Sequence, residues 1–389
     1  MLMSCSDKKN QDIKGAEKKS KEKAKAKVNS QQPVIIKKIQ GDDWSIFRGT
    51  NNLLGSTPAK NMPNPKSLKA SWTFDTGDDI IASPVIVNKI LYIGSKDKNF
   101  YALDAQTGKK LWTFKTNDAI EAPALVIKDV VYIGSTDGNL YALDAKTGKL
   151  KWKFATEAKI VGSANYFYEN DKPYIVFGSH DFSIYCLNDQ GKLQWKYESD
   201  DPINGCPSIY KDKIVIGGCD AHLYVISTKG KLIKKIETEA YIAASSAIVD
   251  DIAYFGNHGD RTYAINLESA EILWEYKDSE NAYLSSPAIS NDYMIIGCRD
   301  KKLYCFNRKD GTVKWSFKAK DVIDGSPVIS GDYTVVASSD GRVYIIDLET
   351  GKKAWSYEIG EPITASPAVY GKMIFIGSTD GTLYTFTEQ

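Results

Sequence analysis

Three residues of this 389-residue chain have metal-binding side chains at matching places: His180, Cys219 and His258. Each stands two positions beyond a glycine of a repeated unit (Gly178, Gly217, Gly256), so three successive units present imidazole, sulfur and imidazole. That donor set suits zinc. The remaining histidine, His222, follows Cys219 by three residues. Equivalent turns of neighbouring units should stand roughly 10 Å apart, which is wide for one tetrahedral shell. The competing reading is a set of variable polar residues on a solvated rim, with small buried thiols beneath.

The other reactive side chains are weaker candidates. Cys5, Cys186, Cys206, Cys219, Cys298 and Cys305 are nowhere adjacent, and the five besides Cys5 cannot all pair with one another. A Cys206–Cys219 disulfide is conceivable, because the strand after Cys206 should return past Cys219. Asp97, Asp137, Asp181, Asp220, Asp300, Asp340 and Asp380 could be taken for general bases, but their recurrence in nearly every unit marks them as turn residues.

A repeat positions all of these. ASPVIVNKILYIGSKDKNFYALDAQTGKKLWTF and APALVIKDVVYIGSTDGNLYALDAKTGKLKWKF are two copies of one unit, and there are eight. The units centre on Tyr101, Tyr141, Tyr185, Tyr224, Tyr263, Tyr304, Tyr344 and Tyr384, spaced 40, 44, 39, 39, 41, 40 and 40 residues apart. Seven residues before each tyrosine stands a glycine, replaced once by Ala337. Short strands at a period near 40 predict an all-β fold, an eight-bladed β-propeller with four antiparallel strands per blade. A Ser-Pro step opens the innermost strand, where proline is tolerated. Asp-Gly in three units predicts a tight hairpin with two left-handed residues. Gly108, Gly148 and Gly351 should be left-handed in the following turn. The blade-opening residues Glu121, Asn204, Asp324 and Thr364, beside the Ser-Pro steps, should face the channel mouth and offer polar contacts to a ligand or partner.

Trp112, Trp152, Trp195, Trp274, Trp315 and Trp355 each mark a fourth strand, with Lys234 in that place in the fourth blade. The eighth unit stops after its third strand and lacks the tryptophan. The orphan segment LKASWTFDTGDD supplies it through Trp72. Residues 68–76 should therefore complete the C-terminal blade and close the ring, leaving a lead-in at 41–67 within a propeller spanning 41–389. In the fourth blade GKLIKKIETE replaces the tryptophan strand, either as a degraded repeat or as an outer edge kept for a partner.

The first 40 residues are different in kind. They hold eleven lysines against four acidic residues, and the rest of the chain holds 39 basic and 45 acidic residues. A basic, apolar-poor segment of this composition reads as a flexible tether. Ahead of it, LMSC resembles the end of a bacterial lipoprotein signal, with Cys5 as the lipidated residue. Only four residues precede Cys5, where such a signal needs an apolar stretch; a start codon lying further upstream would supply one. Lipidation would place the protein in the bacterial cell envelope, at the outer membrane or its periplasmic face, and the lysines would favour an anionic surface. Without it, Cys5 is incidental and the protein cytoplasmic. The acidic body argues against nucleic acid, and no phosphate loop or catalytic triad is present.

ALDAQTGKKLW and ALDAKTGKLKW resemble the tryptophan-docking repeat of the pyrroloquinoline-quinone (PQQ) propeller superfamily, and WSIFRGTNNLLGSTP resembles the lead-in found before many such propellers. The resemblance covers residues 43–389. It implies one of two functions: a quinoprotein dehydrogenase using PQQ and calcium, or a cofactor-free protein-binding ring of the kind typified by the BamB outer-membrane assembly lipoprotein. The large quinoprotein alcohol dehydrogenases carry a disulfide between adjacent cysteines and long insertions, and this chain has neither. No Glu/Asn/Asp set can be assigned to calcium. The sequence therefore favours a non-enzymatic scaffold without cofactor, partnered by a protein such as a membrane β-barrel assembly component. A quinone enzyme and a propeller sensing a small ligand or metal are the alternatives.

Overall fold

The computed structural model describes residues 43–279 and 281–389. Its strands form eight sheets, one per predicted blade. Blade 1 runs outward through Val85–Val87, Ile90–Gly94, Asn99–Asp104 and Lys110–Lys115, and the other blades follow the same plan. The sequence pattern follows from this packing. The second and third strands are covered on both faces by neighbouring blades and read as near-continuous apolar runs, as in ILYIG and NFYALD. The fourth strand, KLWTFK, has one face in solvent and alternates.

Inner strands of neighbouring blades lie side by side, and Val85–Val87 of blade 1 packs on Ala368–Tyr370 of blade 8. The ring is closed as the tryptophan count predicts. Leu68–Asp75 pairs antiparallel with Thr382–Glu388, Thr73 opposite Tyr384, and becomes the outer strand of blade 8.

The landmark glycines are set by close approach. A Cβ on Gly94 would fall 2.3 Å from Ile120 Cγ2, and one on Gly178 would fall 2.1 Å from Ile203 Cγ2. Each makes room for a bulky residue opening the next blade. The tryptophans also act between blades. Trp112 donates from Nε1 to the Ala145 carbonyl at 3.1 Å and lies over left-handed Gly148, where a Cβ would be 2.5 Å from the ring. Trp355 has no such turn ahead of it, because blade 8 takes its outer strand from the N-terminal side; it packs on Tyr357 and Phe386 instead.

The Asp-Gly turns differ from the two-residue hairpin expected. Gly138, Gly341 and Gly381 have positive φ, but the aspartates before them do not. Lys98 closes a turn onto Ser95 at 3.3 Å while Ser95 pairs with Asn99 at 3.1 Å, giving a type I turn followed by one left-handed residue. Lys98, Phe182, Ala221, Asp260 and Lys301 carry that φ in other blades. The aspartate instead caps its turn: Asp97 Oδ1 accepts the Asn99 N–H at 2.8 Å, and Oδ2 accepts the Tyr101 hydroxyl at 2.5 Å. Both carboxylate oxygens are spent on structure.

The lead-in has a role that its sequence did not announce. An inner strand is a sheet edge, and its unpaired N–H groups need acceptors. Residues 44–61 cross the inner strands of the eight blades in chain order. The N–H groups of Ile86, Val126, Ile209, Ile248, Ile289 and Ile329, at one register in six blades, donate at 2.8–3.0 Å to the carbonyls of Trp44, Ser45, Asn51, Asn52, Leu54 and Gly55. In blade 3 the Asn51 amide donates to the Tyr166 carbonyl at 2.7 Å, and in blade 8 Lys372 N–H donates to the Asn61 carbonyl at 3.0 Å. The segment is a washer laid inside the ring.

Candidate functional site

The washer lies toward the turns that join first and second strands: Asn88, in the blade 1 turn, donates its N–H to Asp43, and Lys372 sits in the blade 8 turn. The opposite end of the channel remains open as a cavity of about 580 Å³, counting its mouth. Its wall is built from two positions of each blade opening. One contributes Ile81, Val161, Asn204, Ala243, Leu284, Asp324 and Thr364; the other contributes Ser83, Pro123, Ser163, Cys206, Ser245, Ser286, Ser326 and Ser366. Phe47 of the washer forms its floor.

Three of the four predicted blade-opening residues line this cavity: Asn204, Asp324 and Thr364. Glu121 does not. Asp324, the carboxylate among the lining residues, is gripped by Arg299, whose Nε and Nη2 donate to its two oxygens at 3.0 and 2.9 Å. That fork neutralises the charge where it is almost buried.

The serines form a belt from blade to blade. Cys206 N–H donates to Ser245 Oγ at 2.8 Å, Ser245 N–H to Ser286 Oγ at 3.0 Å, and Ser286 N–H to Ser326 Oγ at 2.9 Å. Ser326 N–H then donates to Ser366 Oγ at 2.9 Å, and Ser366 N–H to Ser83 Oγ at 3.2 Å. The belt breaks at blade 2, where Pro123 has neither hydroxyl nor N–H. The Ser-Pro repeat had signalled a strand start; the serine is conspicuous because it is the acceptor for the neighbouring blade.

His180, Cys219 and His258 are not brought together. His258 stacks on Tyr241 with ring centroids 4.1 Å apart, and burial with nearby Arg299 holds its pKa below the ordinary value. Burial, helped by Lys159, pushes the His180 pKa down to about 4, against a hydrogen bond with Asn204. Asn204 also donates to Cys219 Sγ at 3.2 Å. Among the described residues no three His, Cys, Asp or Glu side chains converge as metal ligands. The expected Cys206–Cys219 disulfide is not formed: Cys206 is a free, buried thiol. Its thiol donates to the Pro207 carbonyl at 3.7 Å. Cys5 lies outside the described residues.

Sequence reasoning missed Arg48. It is 1% exposed, has φ +64, and donates from Nη2 to the Pro287 carbonyl at 2.9 Å, while its Nε and Nη1 find no partner. Burial lowers its pKa to about 9. The W-x-x-F-R-G pattern was its only signal.

Residues 64–166 and 299–389 match the family model of the outer membrane protein assembly factor BamB, and residues 179–254 match that of the lambda-carrageenase β-propeller domain. The fold superposes on BamB from Moraxella catarrhalis with a TM-score of 0.69 at 19% identity, covering 83% of this chain and 98% of that one. The chain is an eight-bladed β-propeller that resembles the PQQ-like propellers. This propeller also superposes on quinohemoprotein alcohol dehydrogenase from Comamonas testosteroni, with a TM-score of 0.75 at 14% identity, covering 89% of this chain and 80% of that one. Among curated proteins it is 26% identical to the human beta-alanine-activating enzyme over 140 residues, 36% of this chain and 10% of that protein. At these identities the structural matches establish the fold.

The residues around the cavity do not suit PQQ held with calcium. A hard divalent cation needs several oxygen ligands including carboxylates, and the one carboxylate in this wall is already forked by Arg299. Among the described residues no helix is long and apolar enough to cross a membrane.

Proposed function

We propose that this propeller is a non-catalytic scaffold for protein–protein interaction at a bacterial membrane, serving outer-membrane protein assembly. In this reading Cys5 carries a lipid anchor, the basic tail is the tether, and the partner is a component of a membrane β-barrel assembly machine. The observation that carries it is the washer. It takes the hydrogen bonds of the inner strands and occupies one end of the channel. The outside of the ring, with loops on two faces and eight outer strands, is a surface suited to loop docking or strand addition. The match to the BamB family model supports the same reading.

The test is crosslinking in the native host, followed by affinity capture and mass spectrometry, with Cys5→Ser in parallel. Recovery of a β-barrel assembly protein, weakened by Cys5→Ser, is the expected result. An empty capture with unchanged localisation of Cys5→Ser would overturn both scaffold and anchor. Dye-linked alcohol oxidation on adding PQQ and calcium would replace the reading with an enzyme.

A further inference from the structure

The serine belt leaves a chemical remainder. Each hydroxyl has one O–H to donate as well as lone pairs to accept with. Ser83, Ser245, Ser286, Ser326 and Ser366 each accept an N–H from the preceding blade, and none donates to a protein acceptor among the described residues. All five are at most 7% exposed and all five line the cavity. Their hydrogens therefore belong to whatever occupies it. The five hydroxyls give the wall an arc of donors; Asn204 and the Arg299-forked Asp324 are the lining side chains with amide or carboxylate oxygens.

Arg48 supplies the second half. Its guanidinium is buried with no carboxylate on it, and two of its nitrogens have no partner. It holds the carbonyl of Pro287, the residue after Ser286, and a Cβ on Gly55 would fall 1.7 Å from its Nη2. Gly55 in turn accepts the N–H of Ile329, three residues beyond Ser326. The charge thus sits under the wall between blades 6 and 7, beside the floor residue Phe47. A buried cation without a counter-ion is costly, and an arginine does not escape by losing its proton. The Arg299–Asp324 pair is neutral as a unit and does not compensate it.

We propose that the cavity binds a small monovalent anion, halide or carboxylate, held by the serine hydroxyls and balanced by the buried Arg48. This site is independent of the scaffold reading: it concerns the interior of the ring, which a docked partner need not touch.

The experiment compares thermal unfolding of the full chain in sodium chloride, sodium acetate and the sodium salt of HEPES, a bulky sulfonate, at matched ionic strength. A saturable rise of about 3 °C in chloride or acetate over HEPES is expected, and the larger of the two responses names the preferred anion. Crystals soaked in sodium bromide should show an anomalous peak within the serine ring above Phe47. Ser326→Ala/Ser366→Ala should abolish both the rise and the peak, as should Arg48→Met if it folds; the serine variant decides the matter if Arg48→Met does not. Equal melting in all three salts, bromide at the protein surface only (an adventitious ion only), or a rise untouched by the serine variant would overturn the proposal.

Discussion

Lys234, in the outer strand of blade 4, and Ala270, in the turn before the outer strand of blade 5, hold the positions where other seams pair a tryptophan with a glycine. The two departures belong together. At Gly148, Gly191, Gly230, Gly311 and Gly351 an added Cβ would meet the docked tryptophan ring at 2.5–2.7 Å. Ala270 keeps the left-handed backbone, φ +66, and can carry its methyl because no ring lies over it. Ion pairs serve this seam: Lys213 bridges to Asp251 and Glu268, and Lys211 to Asp251. The seam between blades 4 and 5 has lost both halves of one contact.

This pairing makes a double-mutant cycle informative. Lys234→Trp alone should destabilise, because the ring meets the Ala270 methyl. Ala270→Gly alone should gain about 1 kcal/mol by relieving the left-handed strain. Together they should restore the docking contact, with a favourable coupling of about 1–2 kcal/mol in urea unfolding. Additive effects would show that the seam is held by something other than this contact.

At an intact seam the reverse holds. Gly148→Ala should cost more than about 2 kcal/mol, combining left-handed strain with a methyl driven into Trp112. Trp112→Ala in the same background should recover part of that loss, which calorimetry would register as a smaller second decrement.

Removing residues 43–61 should cost several kcal/mol, since six inner-strand N–H groups lose their acceptors at roughly 1 kcal/mol each. Hydrogen exchange should locate the damage at Ile86, Val126, Ile209, Ile248, Ile289 and Ile329. Uniform protection at those amides would show that the washer is dispensable. Deleting residues 68–75 should go further and end cooperative unfolding, because blade 8 loses its outer strand.

Acid should weaken the ring in a defined window. Burial pushes the Asp97 pKa up, but hydrogen bonds from the Tyr101 hydroxyl and the Gly77 and Asn99 N–H groups outweigh it and hold the group below the ordinary value; Asp137 behaves alike with Tyr141, Asn139 and Asn117. A depressed folded pKa contributes stability above about pH 4 that is lost as pH falls through the folded value. Urea midpoints should be level from pH 7 to 5 and drop below about pH 4. Tyr101→Phe/Tyr141→Phe should flatten that drop.

Four thiols should be silent in the folded ring. Cys186, Cys206, Cys298 and Cys305 are free and buried, and burial pushes Cys298 and Cys305 up to about 12 and the other two upward as well. Ellman's reagent at pH 8 should leave all four unmodified until denaturant is added.

The ring was legible because its signals are local and repeated eight times. Trp72 without a partner unit and a last unit without tryptophan could only complete each other. The three lining residues Asn204, Asp324 and Thr364 were legible from their register beside the Ser-Pro step. Glu121 shares that register but not the lining, which register alone does not explain. Turn geometry failed at Asp137-Gly138 because the aspartate side chain, reaching Tyr141, takes over a bond that a tighter hairpin would give to backbone. The washer and Arg48 were illegible because their contacts are made once, to partners up to 311 residues away, as between Asn61 and Lys372. No periodicity can announce a contact that occurs once.

Those long spans bear on how the protein is made. The strand Leu68–Asp75 and the washer leave the ribosome before any blade exists, yet the strand's partner ends at Glu388 and the washer's eighth anchor is Lys372. Seven blades can assemble as they emerge, but the ring cannot lock until Thr382–Glu388 has been made. A chain stopped before Thr382 would have an open seam, its sheet edges bare to proteases and chaperones. A strand made early thus waits for a partner made about 300 residues later, and stability waits with it.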